Sequence, residues 1–195
     1  MTSERIGKIE RKTRETYINL QINIDGKGKF LGTSHIGFFD HMLELLAKHS
    51  SFDIKLTCQG DLEVDSHHLI EDLGISMGLC LNESLKDKKG IQRYASVTLP
   101  MDEVLTMVSI DLSSRAYYVG NFSLKREKIG DFECEMLREF LYALAINGKM
   151  NLHVNNFYGE NDHHKVESIF KALARALKDA SRIVSDEILS TKGVL

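Results

Sequence analysis

Apolar and polar residues alternate over Ile18, Leu20, Ile22 and Ile24, with Asn19, Gln21 and Asn23 between them, which predicts a half-buried strand. Asp25-Gly26 follows as a turn signal, and a second strand is expected over residues 29–33, so Gly26, Gly28 and Gly32 read as hairpin chemistry. Phe39, Met42, Leu43 and Leu46 then recur at helical spacing through residues 38–49. Phe52, Ile54, Leu56 and Cys58 alternate again as a strand, and a helix is expected over residues 66–85. The same succession returns further on. Val104, Val108, Ile110 and Leu112 mark a strand, and residues 116–124 another. A helix is expected over 132–147, with Met136, Leu137, Phe140, Leu141 and Leu144 on its apolar side. Met150, Leu152 and Val154 form a short strand before a long helix over 162–184.

The chain therefore reads as an internal duplication of a β-β-α-β-α half, about 10–90 and 91–187, with room for one more strand in the second half. Two such units can bury their helices between two sheets, an α+β sandwich in a single domain.

Each long helix opens on the same tetrad. His67-His68-Leu69-Ile70-Glu71 and His163-His164-Lys165-Val166-Glu167 lie 96 positions apart and use four of the eight histidines. On a helix the first His and the Glu share a face, and the paired imidazoles project about 100° apart. Two such helices meeting would suit two divalent ions, and imidazole with carboxylate favours Mn, Fe or Zn. Pairing Leu56 with Val154 sets an offset of 98 upstream of the tetrads, which lands His41 on Glu139 as equivalent further ligand candidates.

A net charge of −3 and a pI near 6.2 argue against a nucleic-acid partner. Cys58, Cys80 and Cys134 are scattered without metal or redox spacing, which suits reduced thiols in the cytoplasm. No apolar run is long enough to span a bilayer, so no membrane partner is expected, and the polar residues 1–12 are unlike a signal peptide.

GFFDHMLELLAKH (37–49), DSHHLIEDLGI (65–75), NLHV (151–154), GENDHHKVESIFKALARAL (159–177) and the terminal STKGVL (190–195) resemble the imidazoleglycerol-phosphate dehydratase family, in order along nearly the whole chain. The resemblance implies a dehydratase of histidine biosynthesis with two Mn²⁺ per active site. It also implies a homo-oligomer, in the family a 24-subunit shell built from trimers, with sites at subunit contacts. The implied metal ligands are His41, His67, His68, Glu71, His163, His164 and Glu167, with Glu139 where many members resemble Glu-His-Phe-Phe. A carboxylate is an acceptable Mn²⁺ donor, and its extra negative charge would weaken the Lewis acidity of the nearby ion.

The implied reaction removes water from D-erythro-imidazole glycerol phosphate to give imidazole acetol phosphate. The hydrogen lost is not beside a carbonyl, so the substrate's own imidazole must carry the electrons. Metal ions on its ring nitrogens would acidify the ring N–H, and the resulting imidazolate can expel hydroxide from the adjoining carbon. Loss of a proton from the next carbon then gives an enol that becomes the ketone. The family pattern points to Glu15 for proton transfer, with Glu71 and Glu167 the other nearby carboxylates. The implied substrate contacts are Glu15, His41, His49, His67, Glu71, Arg93, Arg115, His163, Lys171, Ser190, Thr191 and Lys192. Among these, Arg93, Arg115, Lys171 and the Ser190-Thr191-Lys192 run match the family's phosphate positions, where arginine forks and lysine point charges suit an anion.

Two other classes compete. A dinuclear metallohydrolase would want His-x-His or Asp-x-Asp at strand ends, and neither is found. A metal-storage or sensing protein would not need Arg93, Arg115 and the basic C-terminus gathered on one anion.

Overall fold

The computed structural model describes residues 4–193; Met1 to Ser3 of the polar N-terminal stretch and Val194 and Leu195 of the terminal motif lie outside the described residues. Alternation becomes a sheet wherever one face can be covered. Strand β2 (Thr16–Asn23) buries Ile18, Leu20 and Ile22, and β4 (Asp53–Gly60) buries Ile54, Leu56 and Cys58. They pair antiparallel with Leu20 opposite Leu56. The corresponding strands β6 (Val104–Asp111) and β10 (Asn151–Tyr158) pair with Val108 opposite Val154.

Each half has one strand more than the alternation suggests. β1 (Ile6–Lys12) precedes β2, and β5 (Tyr94–Met101) precedes β6. With β3 (Phe30–Leu31) and β7 (Tyr117–Asn121), the sheet orders are β1-β2-β4-β3 and β5-β6-β10-β7, the same topology twice. The inner face of β1 escaped pattern reading because a Cβ on Gly7 would lie 2.0 Å from the carbonyl oxygen of Cys80. Pro100 sits in β5, an edge strand where a missing N–H is tolerated.

The Asp25-Gly26 turn corrects the expected hairpin. β3 does not fold back on β2, whose two edges are taken by β1 and β4; it runs parallel to β4 at the sheet's far edge. The Asp53 carboxylate guides the crossing by accepting from Lys27 N and Lys29 N, each at 2.9 Å.

Between the sheets lie α1 (Gly37–Ser50), α2 (His67–Leu85), α3 (Met136–Asn147) and α4 (Asp162–Ser181). The packed pairs are α1 with α4 and α2 with α3, so each half lays a helix on the other half. The buried residues Phe39, Met42, Leu43, Leu46 and Ala47 of α1 match Leu137, Phe140, Leu141, Leu144 and Ala145 of α3 at a constant offset of 98. At the centre Phe39, Phe140 and Phe170 stack and abut with centroids 5.1–6.2 Å apart. Each buried ring contributes on the order of 2–3 kcal/mol by area. The α2–α3 seam is tighter, because Gly74 and Gly78 let the α3 backbone approach within 3 Å of where a Cβ would stand.

Two helix ends differ from expectation. α3 begins at Met136 because Phe132 is held in a small hairpin of β8 (Lys128–Ile129) and β9 (Phe132–Glu133), stacked 5.7 Å from Phe39. α4 stops at Ser181 because Ile183 bridges to Ile91 and Arg182 O accepts from Gln92 N.

Candidate metal centre and anion pocket

Both tetrads occupy the first turn of a long helix, and the fold brings one of them against a third donor. Because α1 lies on α4, His41 reaches the second tetrad. One ligand atom each of His41, His163 and Glu167 fall within 4.8 Å of one another. His163 Nε2 is 3.3 Å and His41 Nε2 3.8 Å from Glu167 Oε2. Phe38 meets the His163 ring edge-on at 5.0 Å, which limits how that imidazole turns. Lys171 Nζ lies 2.5 Å from the other Glu167 oxygen. Burial works against charge on Glu167, but Lys171 and the two imidazoles overcome it and hold the carboxyl below its ordinary range. Two imidazole nitrogens and a carboxylate at this spacing fit a borderline divalent ion in donor type and reach.

The first tetrad is more open. His67 Nε2 stands 4.0 Å from Glu71 Oε2, and Glu139 sits on α3, the helix packed against α2. Among the described residues these three do not gather into a group like the first, nor do the two tetrads close on each other within one chain. Within one chain the donors therefore form two part-sites. The helix pairing is the reason, since each long helix takes the shorter helix of the opposite half as its neighbour.

The second histidines of the tetrads are held by carboxylates that the sequence reading missed. His68 Nδ1 lies 3.0 Å from Asp61, and His164 Nδ1 lies 2.8 Å from Glu103. These contacts raise both imidazole pKa values. Glu103 also accepts backbone N–H bonds from Asn161 and Glu160, and with His164 these bring its pKa down to about 2. A carboxylate on Nδ1 turns Nε2 outward as the donor nitrogen; that of His68 is free, and that of His164 lies 3.6 Å from Asp102 Oδ2. Repeat arithmetic could have flagged Glu103. It precedes Val108 by five positions, as Glu15 precedes the equivalent Leu20.

Glu15 itself is exposed at the β1–β2 turn, beside a cleft of about 330 Å³ that also includes Asp61, and its charge reaches His68. His49, in the last turn of α1, faces Lys171 and Arg175; burial first, then those cations, lower its pKa.

Five of the six expected anion contacts share one cavity of about 760 Å³. Arg93, Arg115, Ser190, Thr191 and Lys192 all line it, and Lys171 is the one placed elsewhere, at Glu167. The C-terminal segment is stitched there by Gly90 N to Glu187 O and by Arg93 Nη1 to Leu189 O at 2.6 Å. Arg93 is 8% exposed and gives Nε and Nη2 to Asp111, so part of its fork braces the wall. Arg115 is exposed.

No helix among the described residues is long and apolar enough to cross a membrane. A profile of imidazoleglycerol-phosphate dehydratase matches residues 34–177. A protein of that name from Clostridioides difficile (strain 630) is 52% identical over 191 residues, covering 98% of this chain and all of its own. One from Caldicellulosiruptor bescii is 48% identical over 192 residues, covering 98% and 99%. The crystal structure of the Staphylococcus aureus N315 imidazoleglycerol-phosphate dehydratase superposes with a TM-score of 0.82 at 38% identity, over 92% of this chain and 99% of that one. The Pyrococcus furiosus structure, in complex with (S)-C348, gives 0.82 at 36% identity over 96% and 100%. With this fold, this donor set and these relatives, the chain belongs to the imidazoleglycerol-phosphate dehydratase family of hydro-lyases.

Proposed function

We propose that this chain removes water from D-erythro-imidazole glycerol phosphate, yielding imidazole acetol phosphate in histidine biosynthesis, with two Mn²⁺ ions per site. The observation that carries the reading is the grouping of His41, His163 and Glu167, repeated in outline by Glu139, His67 and Glu71. His68 and His164, each with Nδ1 held by a carboxylate, offer Nε2 as further donors. When bound, the ions supply Lewis acidity that makes the substrate's ring N–H acidic.

The chain's own groups do the rest. Glu15 takes the proton from the carbon beside the one that loses hydroxide. Glu71 and Glu167 steer the ring, and Glu167 is kept anionic by Lys171. The cavity of Arg93, Arg115 and Lys192 receives the phosphate, which fixes the reacting carbons relative to the imidazole end. Two open part-sites in one chain support completion of each site by a neighbouring copy, with Glu139 as a ligand, in a trimer-built assembly of 24 subunits. Three buried free thiols suit residence in the cytoplasm.

The test joins elemental analysis of the purified protein to a dehydration assay on imidazole glycerol phosphate. About two Mn²⁺ per chain are expected, with turnover lost on chelation and in His68→Ala, Glu71→Ala and His164→Ala. Full turnover by metal-stripped protein, or by a stable monomer, refutes the reading. Metal binding without dehydration would favour the storage class instead.

A further inference from the structure

A positive charge stands behind the anion cavity that no part of the proposed reaction has used. Lys88, in the loop joining α2 to β5, is 2% exposed, and its ammonium donates to Ser114 Oγ at 2.9 Å. Asp111 at the end of β6, the carboxylate whose field reaches it, is already committed to Arg93. Lys149, in the turn between α3 and β10, and Arg93 both oppose its charge. A fully buried lysine answered by a neutral hydroxyl is a costly arrangement unless something else balances it.

The backbone around it is also unusual. Lys88, Arg93 and Ser114 have φ of +60°, +70° and +62°, the left-handed region that side-chain-bearing residues rarely occupy. Each is a strained conformation, and such residues persist where the surrounding structure enforces them. Arg93 and Ser114 line the cavity, and Lys88 stands behind it on Ser114. Gly90, between Lys88 and Arg93, has φ +74°, and a Cβ there would stand 2.1 Å from Ser185 O. That close approach ties the Lys88 loop to the segment carrying Ser190 and Lys192.

Ser114 itself lines the cavity. One lone pair of its oxygen is taken by the Lys88 ammonium, so its own O–H is free to donate toward whatever the cavity holds. We propose that Lys88 is a positioning residue for the anion: it presents the Ser114 hydroxyl as a donor and adds a water-excluded positive charge behind the phosphate end of the site. This rests on reading the cavity as the phosphate end. A plain structural role, bracing the Ser114 turn, would explain the hydrogen bond but would not couple Lys88 to an anion's charge.

Protons separate the two. Burial, Lys149 and Arg93 together bring the Lys88 pKa down to about 8, against the pull of Asp111. A bound dianion favours the protonated lysine, so binding near pH 8 should draw protons into the protein. Inorganic sulfate is the probe, because it does not titrate and resembles a phosphate group. Calorimetric titrations at pH 8 in buffers of different ionisation enthalpy should show uptake of up to about half a proton per sulfate. Affinity should fall as pH rises from 7 to 9. In Lys88→Met the uptake should vanish, and binding at pH 7 should weaken roughly tenfold. Sulfate binding by the variant with the same affinity and the same uptake overturns the proposal and leaves the cavity's assignment standing. No sulfate binding by the unaltered protein removes both, while metal content and dehydration judge the reaction separately. Should Lys88→Met not fold, Ser114→Ala keeps the lysine and removes the hydroxyl; sulfate affinity must then drop several-fold, and an unchanged affinity overturns the proposal.

Discussion

Replacing Asp131 by alanine tests how α1, and with it His41, is held in place. Asp131 lies in the β8–β9 turn of the second half, yet its carboxylate accepts from Gly37 N at 2.7 Å and Phe38 N at 3.2 Å, the first two amides of α1. Ile36, at the N-cap of α1, makes no side-chain capping bond, so this borrowed carboxylate does the capping. Losing a capping side chain costs ~0.5–2 kcal/mol, and a negative charge at a helix N-terminus adds ~0.3–1. The site is exposed, so water can satisfy the freed amides, and the lower half of that range applies, about 1.5 kcal/mol. For a domain of this size that is a fall of about 3–6 °C in Tm.

The pH dependence gives the sign. Burial works to raise the Asp131 pKa, but the Gly37 and Phe38 amides more than offset it and hold it below the ordinary 3.8. A depressed folded-state pKa contributes stability fully above the unfolded value and loses it as pH falls through the folded one. The Tm gap between the parent and Asp131→Ala should therefore be constant from pH 8 to 5 and narrow below about pH 4. Circular-dichroism melts across that range, with Asp131→Asn as an uncharged control keeping one acceptor, make the measurement. His41 stands one turn into α1, so manganese affinity should weaken in step with the stability loss. An unchanged Tm at pH 7, or a gap that ignores pH, defeats the capping account.

Two further substitutions probe the other helix pair. Gly78→Ala should destabilise despite alanine's ~1 kcal/mol advantage in a helix, because its methyl would lie 2.6–2.9 Å from backbone atoms of Leu144, Asn147 and Gly148. Overpacking against backbone costs up to ~3 kcal/mol, so a net loss of about 2 and a Tm lower by roughly 4–8 °C are expected; a raised Tm would show the seam is looser than described. Glu139→His should keep metal stoichiometry but shift preference several-fold from manganese toward zinc, since it trades a carboxylate for an imidazole. If metal content, selectivity and rate all stay as they were, Glu139 is not a ligand.

Period and spacing placed the four helices and put both tetrads on first turns, because burial of one helical face forces a visible repeat. Leu20, Leu56, Val108 and Val154 were equally plain, each facing a core. β1 was hidden because its inward positions are Gly7, Ile9 and Arg11, chosen by the approach of α2 and by the Arg11–Asp72 ion pair at 2.8 Å. Asp61 was illegible for a different reason: what it holds is set by where a loop returns, which has no period, and Glu103 was open to reading only through its match to Glu15 across the repeat. The pairing of α1 with α4 and of α2 with α3 was hidden too, since sequence spacing carries no information about which helix packs on which. The left-handed Lys88 and Ser114 could not be foreseen either, since neither residue type announces that backbone.

The exchange of helices has a mechanical consequence. With α1 covered by α4 and α2 by α3, severing the chain between Leu85 and Arg93 would strip an apolar face from both fragments at once. Neither repeat is a self-sufficient folding unit, so the protein should melt as one body. A lesion anywhere in that shared interior is felt at both histidine pairs together, and losing one part-site while sparing the other takes a change at the ligands themselves.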